Sequence, residues 1–227
     1  MARKQSGQPL WTAVDAYFGG LLAPSDEQLD AALKANRKAG LPAIDVSPLQ
    51  GKLLHVLVQM TKAKRVLEIG LLGGYSTIWM ARALPRGGRI VSLEFSPKHA
   101  EVASANLKHA GLRKRVDIRV GPALETLPVL ATERGGKFDL IFIDADKGNN
   151  PQYLEWAMKL SHKGTVILVD NVARHGTVID AGSKEADIVG TRRCLEMMAA
   201  NPRLSAFALQ TAGVKGLDGF AMAVVVR

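Results

Sequence analysis

Through the first sixty residues apolar side chains recur every three or four positions, the period of helices with one buried face. Leu10, Val14, Tyr17, Phe18 and Leu21 form one such line and predict a helix over residues 9–22. Pro24-Ser25-Asp26-Glu27 reads as a stop and a new N-cap. The helix after it is expected to reach about Ala39, where Gly40-Leu41-Pro42 ends it. Ser47-Pro48 is a further cap with proline at the first helical position, and Leu49, Leu53, Val56, Leu57 and Met60 continue the expected apolar face.

From Arg65 the texture changes. Short apolar runs at 65–69, 89–94, 116–120, 138–144 and 165–170 alternate with helical patterns at 76–84, 97–110, 123–131 and 152–160. Leu140-Ile141-Phe142-Ile143 and Val166-Ile167-Leu168-Val169 show no polar alternation, as expected of parallel strands covered on both faces. The alternation predicts a doubly wound α/β sheet. A helix near 184–200 precedes two further runs, 204–210 and 219–226, whose link is too short for a helical crossover. They are expected to add an antiparallel hairpin to the sheet. Without repeat or linker, residues 1–227 are expected to form one domain, with N-terminal helices over 1–60 and an α/β core over 61–227.

Composition removes several classes. A 47% hydrophobic content supports a core and excludes a disordered chain. One cysteine, Cys194, excludes a disulfide framework and a multi-cysteine metal centre. It shares a helical face with Ile188, Thr191, Leu195 and Met198, which reads as packing. No apolar run approaches the about 20 residues of a membrane helix. The basic start Met1-Ala2-Arg3-Lys4-Gln5 leads into no apolar stretch, so no secretory signal and a cytoplasmic location are expected. The net charge of +9 raises a polyanionic partner, with basic clusters at Lys62, Lys64 and Arg65, at Arg113-Lys114-Arg115, and at Arg192-Arg193.

Ligands of open α/β sheets bind beyond the carboxyl ends of the strands. After the first strand comes Glu68-Ile69-Gly70-Leu71-Leu72-Gly73-Gly74-Tyr75-Ser76, a glycine-rich turn opening a helix. Its carboxylate would repel a pyrophosphate and suits a cationic amine. Glu94 ends the second strand, where an acid can accept both hydrogen bonds of a ribose diol. Gly121-Pro122-Ala123 comes after the third, at the level of a base. In that order the three features fit a nucleoside with a cationic tail and no phosphates, which is S-adenosylmethionine. The fourth strand ends in Asp144-Ala145-Asp146-Lys147 and the fifth in Asp170-Asn171. If adjacent, Asp144, Asp170 and Asn171 offer three hard oxygens to one divalent cation, Mg²⁺ first, Mn²⁺ or Ca²⁺ as alternatives. Taken singly, either aspartate reads as a helix cap rather than a ligand; two at neighbouring strand tips, one followed by Asn, favour the metal. A lysine beside a cation and a sulfonium has its charged form disfavoured, which makes Lys147 a candidate general base.

Val66-Leu67-Glu68-Ile69-Gly70 with Gly74-Tyr75-Ser76, then Asp144-Ala145-Asp146-Lys147, then Asp170-Asn171, resemble the cation-dependent, S-adenosylmethionine-dependent O-methyltransferases, a family that includes the caffeoyl-CoA and catechol enzymes. The resemblance runs from about Trp11 to the C-terminus, through Ile44-Asp45-Val46-Ser47 and Lys215-Gly216-Leu217-Asp218-Gly219-Phe220, and is nearest the bacterial branch. It implies a Rossmann-like seven-stranded sheet in order 3-2-1-4-5-7-6 with the last strand antiparallel. It implies Asp144, Asp170 and Asn171 as cation ligands, with Lys147 and Asp144 at the chemistry. Glu68, Gly70, Gly74, Tyr75, Ser76 and the Val46 backbone would meet the methionine end, Glu94 the ribose and Ala123 the adenine. The substrate implied is a small, vicinally dihydroxylated aromatic, the assembly a homodimer, with no membrane partner. Leu71-Leu72-Gly73 departs from the polar or small residues commoner in the family. Substrate selection is expected from the N-terminal helices and the 173–183 loop.

Three rivals are weighed. A nucleic-acid methyltransferase suits the +9 charge, but an amino-methylating enzyme needs an Asn/Asp-Pro-Pro-aromatic loop to seat a flipped base, where this chain has Asp144-Ala145-Asp146-Lys147. A non-catalytic binding module would be expected to have lost ligands, and all three candidates are present. A nicotinamide oxidoreductase lacks its Gly-x-Gly-x-x-Gly.

Overall fold

Strand pairing in the computed structural model, which describes residues 7–133 and 135–227, gives a seven-stranded sheet in order β3-β2-β1-β4-β5-β7-β6. The expectation for the basic start at residues 1–5 lies outside the described residues. The strands are β1 (Arg65–Ile69), β2 (Arg89–Glu94), β3 (Val116–Val120), β4 (Phe138–Ile143), β5 (Ser161–Asp170), β6 (Leu204–Gly213) and β7 (Gly216–Val225). The first five pair in parallel, and β7 runs antiparallel to both β5 and β6. The helices are α1 (Gln8–Leu22), α2 (Glu27–Lys38), α3 (Pro48–Met60), α4 (Tyr75–Ala83), α5 (Pro97–His109), α6 (Ala123–Thr132), α7 (Asn150–Lys159) and α8 (Ala186–Ala200).

The central strands are apolar throughout because each residue meets one of two cores. Val66, Leu140 and Leu168 pack with α2–α5 on one face, while Leu67, Ile141 and Ile167 pack with α6–α8 on the other. Cys194 is buried in the second core, which pushes its thiol up to about 12. No helix among the described residues is long and apolar enough to cross a membrane.

Four expectations need correction. The buried line of α3 is Gly51, Leu54, Leu57 and Val58, and Met60 is exposed. Gly51 lets the helix close on Trp79, whose ring a Cβ would meet at 2.3 Å. β5 begins at Ser161 rather than 165, in a polar segment held by His162, whose Nε2 lies 2.9 Å from Asp139 Oδ1. The hairpin strands reach Gly213 and Gly216, leaving a two-residue turn, Val214-Lys215. The apolar line of α1 is uncovered among the described residues, with no residue of the helix buried. The helix docks instead through polar bonds to that turn. Gln8 Nε2 donates to the Gly213 carbonyl at 2.8 Å, and the Val214 N–H donates to Asp15 Oδ2 at 2.7 Å.

Candidate active site

The carboxyl edge of the sheet opens into a cavity of about 720 Å³. Its floor is the turn from β1 into α4. Gly70 adopts φ 99°, and a Cβ there would stand 2.1 Å from the Asp144 carbonyl oxygen. Only glycine therefore lets the ends of β1 and β4 meet. Leu72 at φ 48° and Gly74 at φ 81° complete the turn, with Gly74 as N-cap of α4. Glu94 holds it from the tip of β2. Its Oε2 accepts the N–H groups of Leu71 at 3.1 Å and Leu72 at 2.8 Å, and its Oε1 accepts that of Ser96 at 2.9 Å. His99 Nδ1 lies 3.3 Å from the same carboxylate.

Glu68 stands behind the turn and does not line the cavity. It is fully buried and accepts the hydroxyls of Ser76 (2.6 Å), Thr77 (2.7 Å) and Ser92. Burial, only partly offset by these bonds, pushes its carboxyl up to about 7. Of the expected ligand contacts, Val46, Gly70, Tyr75, Ser76, Glu94, Ala123, Asp144, Lys147 and Asn171 line the cavity, whereas Glu68, Gly74 and Asp170 do not.

The acidic residues converge as adjacent strands require. Ile143 of β4 pairs with Val169 of β5, so Asp144 and Asp170 leave the sheet side by side. Asp170 is 3% exposed, and burial together with the Asp144 charge raises its carboxyl well above the usual carboxylate range. Lys147 is buried in a 3₁₀ turn, Lys147–Asn149, and its Nζ donates to Asp144 Oδ1 at 2.8 Å. That turn lies against α8 at Gly190, where a Cβ would be 2.3 Å from the Lys147 carbonyl oxygen. Asn171, at φ 55°, donates its N–H to Asp170 Oδ1 at 2.8 Å. It also borders a second cavity of about 340 Å³ that Asp170 lines too. Among the described residues no three His, Cys, Asp or Glu side chains form a metal cluster. The candidate set is two carboxylates and one amide. Two carboxylates side by side, with a single ammonium beside them, fit a hard divalent cation.

Two features escaped the sequence reading. Asn36 of α2 donates to Asp45 Oδ1 at 2.8 Å, and Asn106 of α5 donates to both Asn36 Oδ1 (3.0 Å) and the Gly73 carbonyl (2.9 Å). This buried chain ties two helices to the glycine turn and to Asp45 on the cavity wall. Its signal was a polar residue inside an apolar stripe: Asn36 after Leu29 and Ala32, and Asn106 between Ala103 and Leu107. Asp146 accepts from Tyr153 Oη (2.6 Å) and Asn149 Nδ2 (2.6 Å), bracing the segment that carries Lys147. His175 lines neither cavity.

A parallel sheet in order 3-2-1-4-5-7-6 with an antiparallel β7 and a ligand-sized cavity over its carboxyl edge defines a Rossmann-like methyltransferase fold. A family model for O-methyltransferases matches residues 23–218. A catechol O-methyltransferase of Mycobacterium tuberculosis is 54% identical over 218 residues, 96% of this chain and 97% of its own. One from Niastella koreensis is 50% identical over 216 residues, covering 95% and 98%. Among solved structures, the O-methyltransferase of Bacillus cereus in complex with SAH superposes with a TM-score of 0.94 at 56% identity, over 96% of this chain and 99% of that one. TomG of Streptomyces achromogenes, in complex with SAM, gives 0.95 at 45% identity, over 98% and 100%. The chain belongs to the O-methyltransferase family.

Proposed function

We propose that this chain transfers the methyl group of S-adenosylmethionine to one hydroxyl of a vicinally dihydroxylated aromatic held on a divalent cation. The observation that carries the reading is the convergence of Asp144, Asp170 and Asn171 beside a buried lysine, in a chain half identical to two catechol O-methyltransferases. Asp144, Asp170 and Asn171 are the proposed cation ligands. Gly70 gives the methionine end close access to backbone, Ser76, Tyr75 and Val46 line that end, Glu94 is at the ribose and Ala123 at the adenine. Glu68 acts one step back, fixing the Ser76 hydroxyl, and Gly74 starts α4.

When bound, the cation supplies Lewis acidity to two adjacent phenolic oxygens and S-adenosylmethionine supplies an electrophilic methyl group. In its neutral form Lys147 would accept the phenolic proton at Nζ, and the 2.8 Å contact with Asp144 Oδ1 keeps that atom at the cation site. The cavity walls hold the two reactants in line, and positioning of this kind can be worth effective molarities of about 10⁵ M. We also infer a homodimer, for which the exposed Leu10, Val14, Tyr17, Phe18 and Leu21 of α1 are the candidate surface. Sedimentation at a monomer mass would refute it.

The test is methyl transfer to catechol by protein stripped with chelator and then given Mg²⁺, Mn²⁺ or Ca²⁺. Turnover is expected to return with the cation, and Asp144→Ala and Asp170→Ala are expected to lose that response. Full activity of either variant in chelator would sink the metal assignment.

A further inference from the structure

The second cavity has three zones. Asp170 and Asn171 stand at its inner end, where it borders the first cavity. Leu49, Leu53 and Phe220 give it apolar walls, and the exposed Lys215 lines it together with Asp15 and Asp218. An aromatic ring suits the walls, and the proposed diol would face the inner end. A substituent on such a ring would share the cavity with the Lys215 ammonium.

Most surface lysines are solvated chain ends with no fixed place. Lys215 differs because its backbone is pinned from both sides. Gln8 and Asp15 of α1 hold the turn residues before it, and a Cβ on Gly213 would meet Asp15 Oδ2 at 2.2 Å. On the other side Asp218 Oδ1 accepts the N–H groups of Arg174 (3.2 Å) and Gly219 (2.9 Å). α1, with no buried residue, holds this turn through Gln8 and Asp15. Lys215 makes no salt bridge among the described residues. Asp15 and Asp218, which line the same cavity, accept backbone N–H groups, and the other carboxylates acting on Lys215 are Asp45, Asp144 and Asp170, of which the last two are committed in the proposed reading to a cation. With that cation and a sulfonium in place, Asp144 and Asp170 no longer neutralise this ammonium, and an added anion would be attracted to it.

We propose that Lys215 is a specificity residue that selects acceptors bearing a carboxylate on the side of the ring away from the two hydroxyls. This rests on the proposed reading of the site. A carboxylate there gains a charge-assisted hydrogen bond, a neutral substituent gains none, and an ammonium is repelled.

The test compares three acceptors on one ring: 3,4-dihydroxybenzoate, 3,4-dihydroxybenzamide and 3,4-dihydroxybenzylamine. Two readouts are taken, kcat/KM with S-adenosylmethionine and Mg²⁺, and calorimetric affinity with S-adenosylhomocysteine in its place. The wild-type protein is expected to prefer the carboxylate. Lys215→Gln is expected to reduce the carboxylate-to-amine ratio by about 10-fold or more, the size of one hydrogen bond to a charged group. Lys215→Arg should keep the preference, and Lys215→Glu should invert it. An unchanged ratio in Lys215→Gln overturns the proposal. So does an equal loss on all three acceptors, the mark of a lysine that only supports the turn. If the wild-type protein neither binds nor methylates any of the three diols, the reading of the site fails, and the proposal with it.

Discussion

Gly190→Ala separates the stability of the fold from the placement of the proposed base. Gly190 lies buried on α8, against the turn that carries Lys147. The added Cβ would stand 2.3 Å from the Lys147 carbonyl oxygen, 2.7 Å from that of Gly148 and 2.8 Å from the Gly148 Cα. All three are backbone atoms, so no rotamer change relieves the clash. Restoring ordinary contact near 3.4 Å needs a displacement of about 1 Å between α8 and residues 147–148. Overpacking of this kind costs about 1–3 kcal/mol, while alanine in place of a helical glycine returns about 1 kcal/mol. The net loss is about 0–2 kcal/mol, a fall in Tm of at most about 8 °C for a chain of this length. A misplacement of about 1 Å at a reacting group, by contrast, can cost about 100-fold in rate. The variant is therefore expected to fold, to bind S-adenosylmethionine with little change, and to lose about 100-fold in kcat. Differential scanning calorimetry, ligand titration and initial rates measure the three quantities. Gly20→Ala in α1, where a Cβ meets nothing within 4 Å, is the control and should gain a little stability. Wild-type kcat in Gly190→Ala would refute the link between α8 and Lys147.

Three further outcomes are expected. Lys147→Ala should lower kcat by about 100-fold or more with far less effect on S-adenosylmethionine affinity; equal losses in single-turnover rate and in calorimetric affinity would argue against a base. Glu68 holds its proton to about pH 7 in the folded state, against 4.5 when unfolded, so the folded state binds more protons between these values. Stability from this group therefore falls as pH rises from about 4.5 to 7, by about 3 kcal/mol, and is level above. Urea titrations across that range should show the decline flattened in Glu68→Gln, and an identical slope in both proteins would contradict the shift. Gly73→Ala would set a Cβ 1.9 Å from Asn36 Oδ1 and break the Asn36–Asn106 chain, with an expected loss of about 2 kcal/mol and weaker S-adenosylmethionine binding. Unchanged affinity by calorimetry would show that the chain does not hold the glycine turn.

The features legible in the sequence are those whose cause is local. A strand buried on both faces is a run without alternation, as at Leu140–Ile143, and the sheet order came once the motif set marked the family. Asp144 and Asp170 were findable because an open parallel sheet gathers the residues just past its strand ends at one edge. The register that seats them together needs only β4 and β5 to be neighbours.

The features that stayed hidden depend on groups far apart in the chain. Glu68 was read as a ligand contact because an acid beside a glycine turn faces the cavity in the simplest picture. The hydroxyls of Ser76, Thr77 and Ser92 draw it to the far side, and no spacing rule relates all three to position 68. In α1 the apolar stripe pointed to a buried face, yet the face is exposed and two polar residues, Gln8 and Asp15, fasten the helix about 200 residues away in the chain. Periodicity identifies a face that avoids water but not what covers it. A polar side chain that bonds to backbone across the fold leaves no period at all. In this chain the groups proposed for binding and chemistry are carried by short local motifs, whereas the groups that place them are distant in sequence: Gly190 for the Lys147 turn, α1 for the Lys215 turn, and Asn36 with Asn106 for the glycine turn. Substitution at Gly190, like Lys147→Ala within the motif, is expected to separate binding from turnover, whereas breaking the Asn36–Asn106 chain is expected to weaken binding itself.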